Sequence, residues 1–489
     1  MSLRGFWLDI AEHPDDDALR LILADWLEDH GDEAQAEFIR VQIRRSRLPL
    51  DDAEQPALAR REAELLARYS ARWAGDLAIC ASDWVFRRGL IEGVQVGLIN
   101  LLLEYLHQQP LPLRSLHWDR LGQLRHPDDL AILGTLREMQ ASYVSFPAEE
   151  LAAILRSPHL RSLRRLHLQA VHLLGPLTVE MLLYSPWVSQ LEHLNVSMNH
   201  LSAESIRLFT QATCLPQLRE LVVSFNESIG NQGIMRLLRS PLAQQLSLLD
   251  VTDTGLTGQG VRQLANLPQL AGLEVLRIGN NDLGGSGAEA LLQSPHLSGL
   301  RQLDLSSTRL GLRGLRALSE RPVLPQLEEL KLSNALPTLE ALRILLCAPT
   351  LRSLQRLDLG NNSMLDERGA RLLVEKGPWP WRVLDLRACQ LGDAGVEALT
   401  AAPCFPRLHT LILHANQLGV AAARALANCP HLPRLRVLGL SNNFLDAQAA
   451  AALANSPNLD LCELHVAANP LGTEDRQRLR ERFGGCVRE

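Results

Sequence analysis

The sequence predicts an α/β solenoid, a horseshoe with a parallel β-sheet on its concave face and helices on its convex face, preceded by a small α-helical domain. Three observations predict it. The chain has 489 residues and is 46% hydrophobic but only 4% aromatic, so its core must be built from Leu, Val and Ala. A fixed leucine spacing recurs along most of its length. Ahead of the first recurrence the apolar residues follow a helical period instead.

The recurring template is L-x-x-L-x-L-x-x-N-x-L. It begins at Leu113, Leu136, Leu163, Leu191, Leu218, Leu246, Leu273, Leu300, Leu327, Leu354, Trp381, Leu408, Leu435 and Leu461, about 14 units. The step is 27 residues for six consecutive intervals from Leu246 to Leu408. Within each unit the L-x-L core alternates as a half-buried strand does, because successive strand side chains point to opposite faces. The second half has a helical spacing of four, as in Leu391, Gly395 and Leu399. A small residue recurs in mid-unit, Ser205, Gly233, Gly260, Gly287, Gly314, Gly369, Gly395, Ala422 and Ala449, where the helix start is expected to press on the strand layer. Prolines at 158, 186, 241, 268, 295, 349 and 430 stand five residues before the next leading Leu and end the helix. The asparagine position holds Asn199, Asn226, Asn281, Asn362, Asn416, Asn443 and Asn469, but Val144, Val171, Thr254, Thr308, Ala335 and Cys389 elsewhere. An inward Asn there is expected to satisfy backbone groups at the strand exit.

This alternation resembles the leucine-rich repeat family, in the longer, helix-bearing class typified by ribonuclease inhibitor. Strands stack at about 4.8 Å while helices need about 10 Å, which gives the expected bend.

Solenoid ends need caps. At the C-terminus, residues 472–489 read as a short polar helix beginning near Thr473, with Leu479 and Phe483 covering the last unit. Before the repeats, Leu19, Ile22, Leu23, Trp26 and Leu27 fall on one helical face, with acids before them and Gly31 after. "AEFIRVQIRRSRL" and "PALARREAELLARYSARWAG" give two further helices. Pro14 to Asp17, Ala24 to Glu28, His30 to Asp32 and Glu37 to Gln42 resemble the bacterial repeat-companion domain. The expected division is a helical domain over 1–80, a cap leading into the sheet over 81–112, repeats over 113–471 and a C-terminal cap over 472–489.

A formal net charge of -6 argues against a protein that wraps nucleic acid through many phosphate contacts. Of 49 Lys plus Arg only Lys331 and Lys376 are lysines, as a GC-rich bacterial genome would produce. The eight cysteines form neither a Cys-x-x-Cys pair nor a secreted framework and read as reduced thiols. The N-terminus lacks a signal-peptide pattern, and the apolar run "VGLINLLLEYL" is too short for a membrane span. The expectation is a soluble, cytoplasmic protein, monomeric when free, with no membrane or nucleic-acid partner.

No catalytic constellation emerges. His159, His296 and His431 are repeated loop residues, and His117 and His167 lie two strands apart, too far to share a zinc ion. Asp15, Asp16 and Asp17 lack calcium-loop spacing and read as a helix start. No phosphate loop, HExxH helix or Gly-x-Ser-x-Gly elbow is present. No catalytic residue, metal site or cofactor is therefore expected.

The positions that face the cavity carry the functional expectation. Between the two strand leucines, successive units present Asp250, Arg277, Asp304, Lys331, Asp358 and Asp385, with Arg387 two residues past the last. The first five alternate in sign and are expected to pair across strands. Asp358 and Asp385 break the alternation, with Arg356 and Arg387 nearby as relief. In the unit opening at Leu191, the motif leaves His193, Asn195, Ser197 and Met198 free for contacts. The sequence reads as a non-enzymatic scaffold that binds another protein on the concave face; the alternative is a stoichiometric inhibitor or regulator of a partner enzyme.

Overall fold

The computed structural model describes residues 3–13, 15–49, 52–109, 111–119, 127–143, 148–171, 175–211, 214–320 and 324–488. Pro14 of the acidic helix start and Val144 of the asparagine series lie outside them. Contacts divide the chain into two compact units, Met1–Leu48 with Leu65–Leu256, and Pro49–Glu64 with Thr257–Glu489.

Four helices open the chain: α1 (Leu3–Glu12), α2 (Asp17–Asp29), α3 (Glu33–Arg47) and α4 (Gln55–Ala74). Helix α2 starts where the acidic run predicts, because the Asp16 carboxylate accepts the Ala18 N–H at 2.8 Å and caps it. Its buried face differs from the expected one. Arg20, Leu23, Ala24 and Leu27 point inward while Ile22 is exposed. The reason is an ion pair. Arg20 is fully buried against Glu92, whose carboxyl burial pushes upward in pKa while Arg20 pulls it back. Helix α1 went unread in the sequence; Phe6 and Ile10 bury it against α2 and α3.

After a short α5 (Leu77–Cys80), β1 (Ala81–Arg87) and β2 (Leu90–Val96) form an antiparallel hairpin. This is the exception to an otherwise parallel arrangement. Helix α6 (Ile99–Gln108) then leads to the repeats. In the first unit the strands are β3 (Ser115–Trp118), β4 (Glu138–Ser142), β5 (Arg165–Gln169), β6 (His193–Asn195), β7 (Glu220–Val222) and β8 (Leu248–Asp250). They pair in parallel from β2 to β8. In the second unit β9 (Val275–Arg277), β10 (Gln302–Asp304), β11 (Glu329–Lys331), β12 (Arg356–Asp358), β13 (Val383–Asp385), β14 (Thr410–Ile412), β15 (Val437–Gly439), β16 (Glu463–His465) and β17 (Val487–Arg488) pair likewise. Every template start from Leu113 to Leu461 lies two residues before a strand. The alternating strand and helix make this a leucine-rich repeat solenoid.

The strand leucines, such as Leu276, Leu303, Leu330, Leu357 and Leu384, are buried in one row. From β4 to β16 the chain leaves the strand through a left-handed residue, for example Phe225 at φ 55°, Asn280 at 52° and Asn361 at 56°. The asparagines close the backbone there. Asn226 accepts the N–H groups of Asn199 and Leu201, in the preceding turn, at 3.0 and 2.9 Å. Its amide donates to the carbonyls of Val196 at 3.2 Å and Val223 at 2.9 Å. Thr308 and Cys389 keep the donor, giving hydrogen bonds to the carbonyls of Leu305 at 2.6 Å and Leu359 at 3.2 Å.

The small mid-unit residue meets something other than the strand layer. A Cβ on Gly287 would lie 2.8 Å from the Gly258 Cα, the start of the neighbouring repeat's helix. At Gly287 the spacing between neighbouring helices sets the requirement, whereas a Cβ on Gly395 would meet Leu391 of its own repeat at 3.0 Å. Trp381, standing in for a leading leucine, stacks on Trp379 at 4.5 Å and donates its indole N–H to Leu351.

In the C-terminal helix Thr473–Phe483, Leu479 and Phe483 are buried, and β17 pairs with β16 beyond it. Within the second unit Arg60 of α4 also lies 3.1 Å from Asp460. Among the described residues, no helix is long and apolar enough to cross a membrane.

The Gly287 contact gives a test. Gly287→Val forces two helix starts apart, and denaturant unfolding should show a loss of about 1–3 kcal/mol from overpacking.

Candidate binding surface

Strand residues that alternate with the buried leucines face away from the helices. In the second unit Arg277, Asp304, Lys331, Asp358 and Asp385 stand in register on five adjacent strands. The spacing between repeats thus brings these sequence-predicted residues together. Asp250 ends β8 in the first unit.

Their carboxylates are held by the backbone. One oxygen of Asp304 accepts the Ser306 N–H at 2.9 Å, and one oxygen of Asp385 accepts the Arg387 N–H at 2.9 Å. Asp358 accepts from Gly360 N at 2.8 Å and from the Ser333 hydroxyl at 2.7 Å. Asp250 makes the same turn with Thr252, and Asn195 with Ser197, each at 3.0 Å. This local turn mimics a backbone turn and fixes the side chain. Sequence reasoning missed it, although the Asp or Asn that ends the strand segment at positions 195, 250, 304, 358 and 385 was its signal.

The expected sign alternation takes a different form within this unit. Lys331 lies 3.6 Å from Glu329, on its own strand, and Arg356 lies 3.8 Å from the same carboxylate. Arg387 relieves Asp385 as expected, its Nε 2.8 Å from the acid oxygen, and this hydrogen bond raises the Arg387 pKa. Burial raises the Asp358 pKa, with Asp385 adding to the effect. The face is a mosaic of both signs.

Nearby, His414 lies over Gly439, where a Cβ would come within 2.7 Å of its ring. Its pKa is lowered by burial, then by His465 and Arg387. The buried Cys389 thiol is pushed up to about 12, chiefly by burial, so it is no nucleophile. None of the eight cysteines is in a disulfide.

In the first unit a different cluster occupies the same face. Arg165 and His193 both reach Glu220, at 2.9 and 2.6 Å, and His167 stands 3.6 Å from Glu138. The His167 and His193 rings lie 4.5 Å apart. The sequence places His117 and His167 at one repeat position, two strands apart. The structure pairs His167 diagonally with His193, one strand on and two positions earlier in the template. Among the described residues, no group of three or more His, Cys, Asp and Glu could hold a metal ion.

Four stretches, residues 215–238, 273–292, 296–319 and 382–399, match the model described as "Leucine Rich repeat". These stretches carry that repeat, and the common strand register extends it along the series. No curated protein matches the sequence. Solved structures similar to this chain include the Rad7 and Elc1 complex in yeast, at 15% identity over 97% of this chain and 96% of that one, TM-score 0.44. The TLR13-ssRNA13 complex is similar at 17% identity over 80% and 68%, TM-score 0.36. An internalin from Listeria monocytogenes is similar at 14% over 77% and 91%, TM-score 0.31.

The histidine pair yields a pH prediction. Burial, followed by the neighbouring His193 and Arg165, lowers the His167 pKa to about 4 from 6.5. Between these values the unfolded chain takes up a proton that the folded chain refuses, so acid destabilises the fold across that window. The His167 contribution is present above pH 6.5 and lost toward pH 4, by up to about 3 kcal/mol. Urea melts of His167→Gln against wild type across pH 4 to 7 should show a flatter dependence.

Proposed function

We propose that the chain is a non-enzymatic scaffold that binds a partner protein on the sheet face of its second unit. Arg277, Asp304, Lys331, Asp358, Asp385 and Arg387 are the proposed contacts there, and Asp250 is a proposed contact on the first unit's own face. The observation that carries the reading is the set of backbone-anchored carboxylates in one row. Fixing them in the free protein lowers the entropy lost on association. Their mixture with Lys331, Arg356 and Arg387 favours a partner with charges of both signs, since complementary patterns confer specificity. A polyanion would meet carboxylates across the same row, which argues against nucleic acid.

The reading includes the finer expectations: a ribonuclease-inhibitor-like class of repeat, a bacterial repeat-companion domain in the N-terminal helices, a cytoplasmic setting and a monomeric free state. Binding there needs no cofactor.

The test is affinity capture with the double variant Asp304→Asn and Lys331→Gln. Asn retains the turn acceptor, so the fold should melt as wild type does. Recovery of the partner on wild-type chain and a loss of about tenfold or more in affinity on the variant is the expected result. Equal recovery on both would remove the sheet face from the reading.

A further inference from the structure

The first unit contains a second concave site, away from the sheet face. A cavity of about 450 Å³ lies among its N-terminal helices and first strands, with walls that include Trp7, Trp73, Phe86 and Tyr105. That size falls within the range of small-molecule sites.

Its chemistry is specific. Trp73 is held in place by Phe38, stacked at 4.8 Å, and by Tyr69, stacked at 5.6 Å, while Phe86 meets it edge-on at 5.9 Å. The Trp73 indole N–H is buried away from the cavity, so Trp73 lines it with ring carbon rather than with a donor.

The polar rim sets the charge of that ligand. Arg4 and Arg72 line the cavity together with one carboxylate, Asp32. Asp32 is already engaged. One oxygen takes Arg72 at 3.3 Å and the other caps α3 through the Gln35 N–H at 3.2 Å. Arg4 has no carboxylate partner among the described residues. The rim therefore carries an excess of positive charge beside flat aromatic walls.

We propose that this cavity binds a small planar aromatic anion. Its ring lies against the Trp and Tyr walls and its negative charge faces Arg4. The site is independent of the sheet face, so either proposal can fail without the other.

The probe is pyrene-1-sulfonate, a planar aromatic anion, titrated into the full chain and followed by its own emission and by quenching of tryptophan. One saturable site per chain is expected. Arg4→Glu, at an exposed position, should weaken it on the order of tenfold by reversing the charge at the rim. Gln35→Trp, which fills the cavity, should abolish it, with thermal melts reporting that both variants are folded. Absence of saturable binding, or binding that neither folded variant alters, would overturn the proposal.

Discussion

Everything in this molecule depends on satisfying the backbone where each short strand ends. Most strands of the second unit are three residues long, and the chain then turns through a left-handed residue into a buried loop. Peptide groups at such a corner face neither water nor a regular ladder, and leaving one unpaired costs about 1–3 kcal/mol. Asn supplies an acceptor and a donor on one short side chain. Asn416 accepts from Cys389 and donates to Leu386 and His414, while its own N–H is taken by Asn443. Each corner is thus completed by the next repeat. Where Ala335 replaces Asn, Asn362 of the following repeat still accepts the Ala335 N–H at 3.0 Å. The ladder tolerates a gap because its acceptor comes from one side.

The same constraint shapes the binding surface. Constant repeat length keeps the strands in register, so one variable position per repeat becomes a row across the sheet. The residue that ends each strand must also begin the corner, and Asp or Asn there does both jobs. Asp385 uses both oxygens on Arg387, one on its N–H and one on its guanidinium, whereas Asp304 and Asp358 each give one oxygen to the backbone and leave the other for solvent or a partner. These acids are structural and available at once. Removing their charge is therefore separable from removing their turn, which the amide isostere keeps.

Much of this architecture was legible in the sequence because a period of 27 residues repeats both a strand signal and a helix signal. The leading leucines, the proline exits and the Asn positions each follow from chemistry within one repeat. Contacts between repeats were harder to read. The Gly287 requirement comes from Gly258 on a neighbouring helix, and His167 finds His193 diagonally. Ends were harder still. Arg20 displaces Ile22 from the buried face of α2 because its partner, Glu92, lies in a later strand, and β17 joins β16 without any leucine template. The charged row was legible by position, but its hydrogen bonds required coordinates: Lys331 has aspartates on both flanking strands and lies beside Glu329 on its own.

The account stands most directly on amide exchange at Ala335 and Leu336, whose N–H groups both reach the Asn362 oxygen, at 3.0 and 2.8 Å. In Asn362→Ala those two amides, a full repeat away from the substitution, should lose protection worth about 1–3 kcal/mol while strand amides of β15 and β16 keep theirs. Unchanged exchange at Ala335 and Leu336 in the folded variant would contradict the claim that each corner is completed by its neighbour.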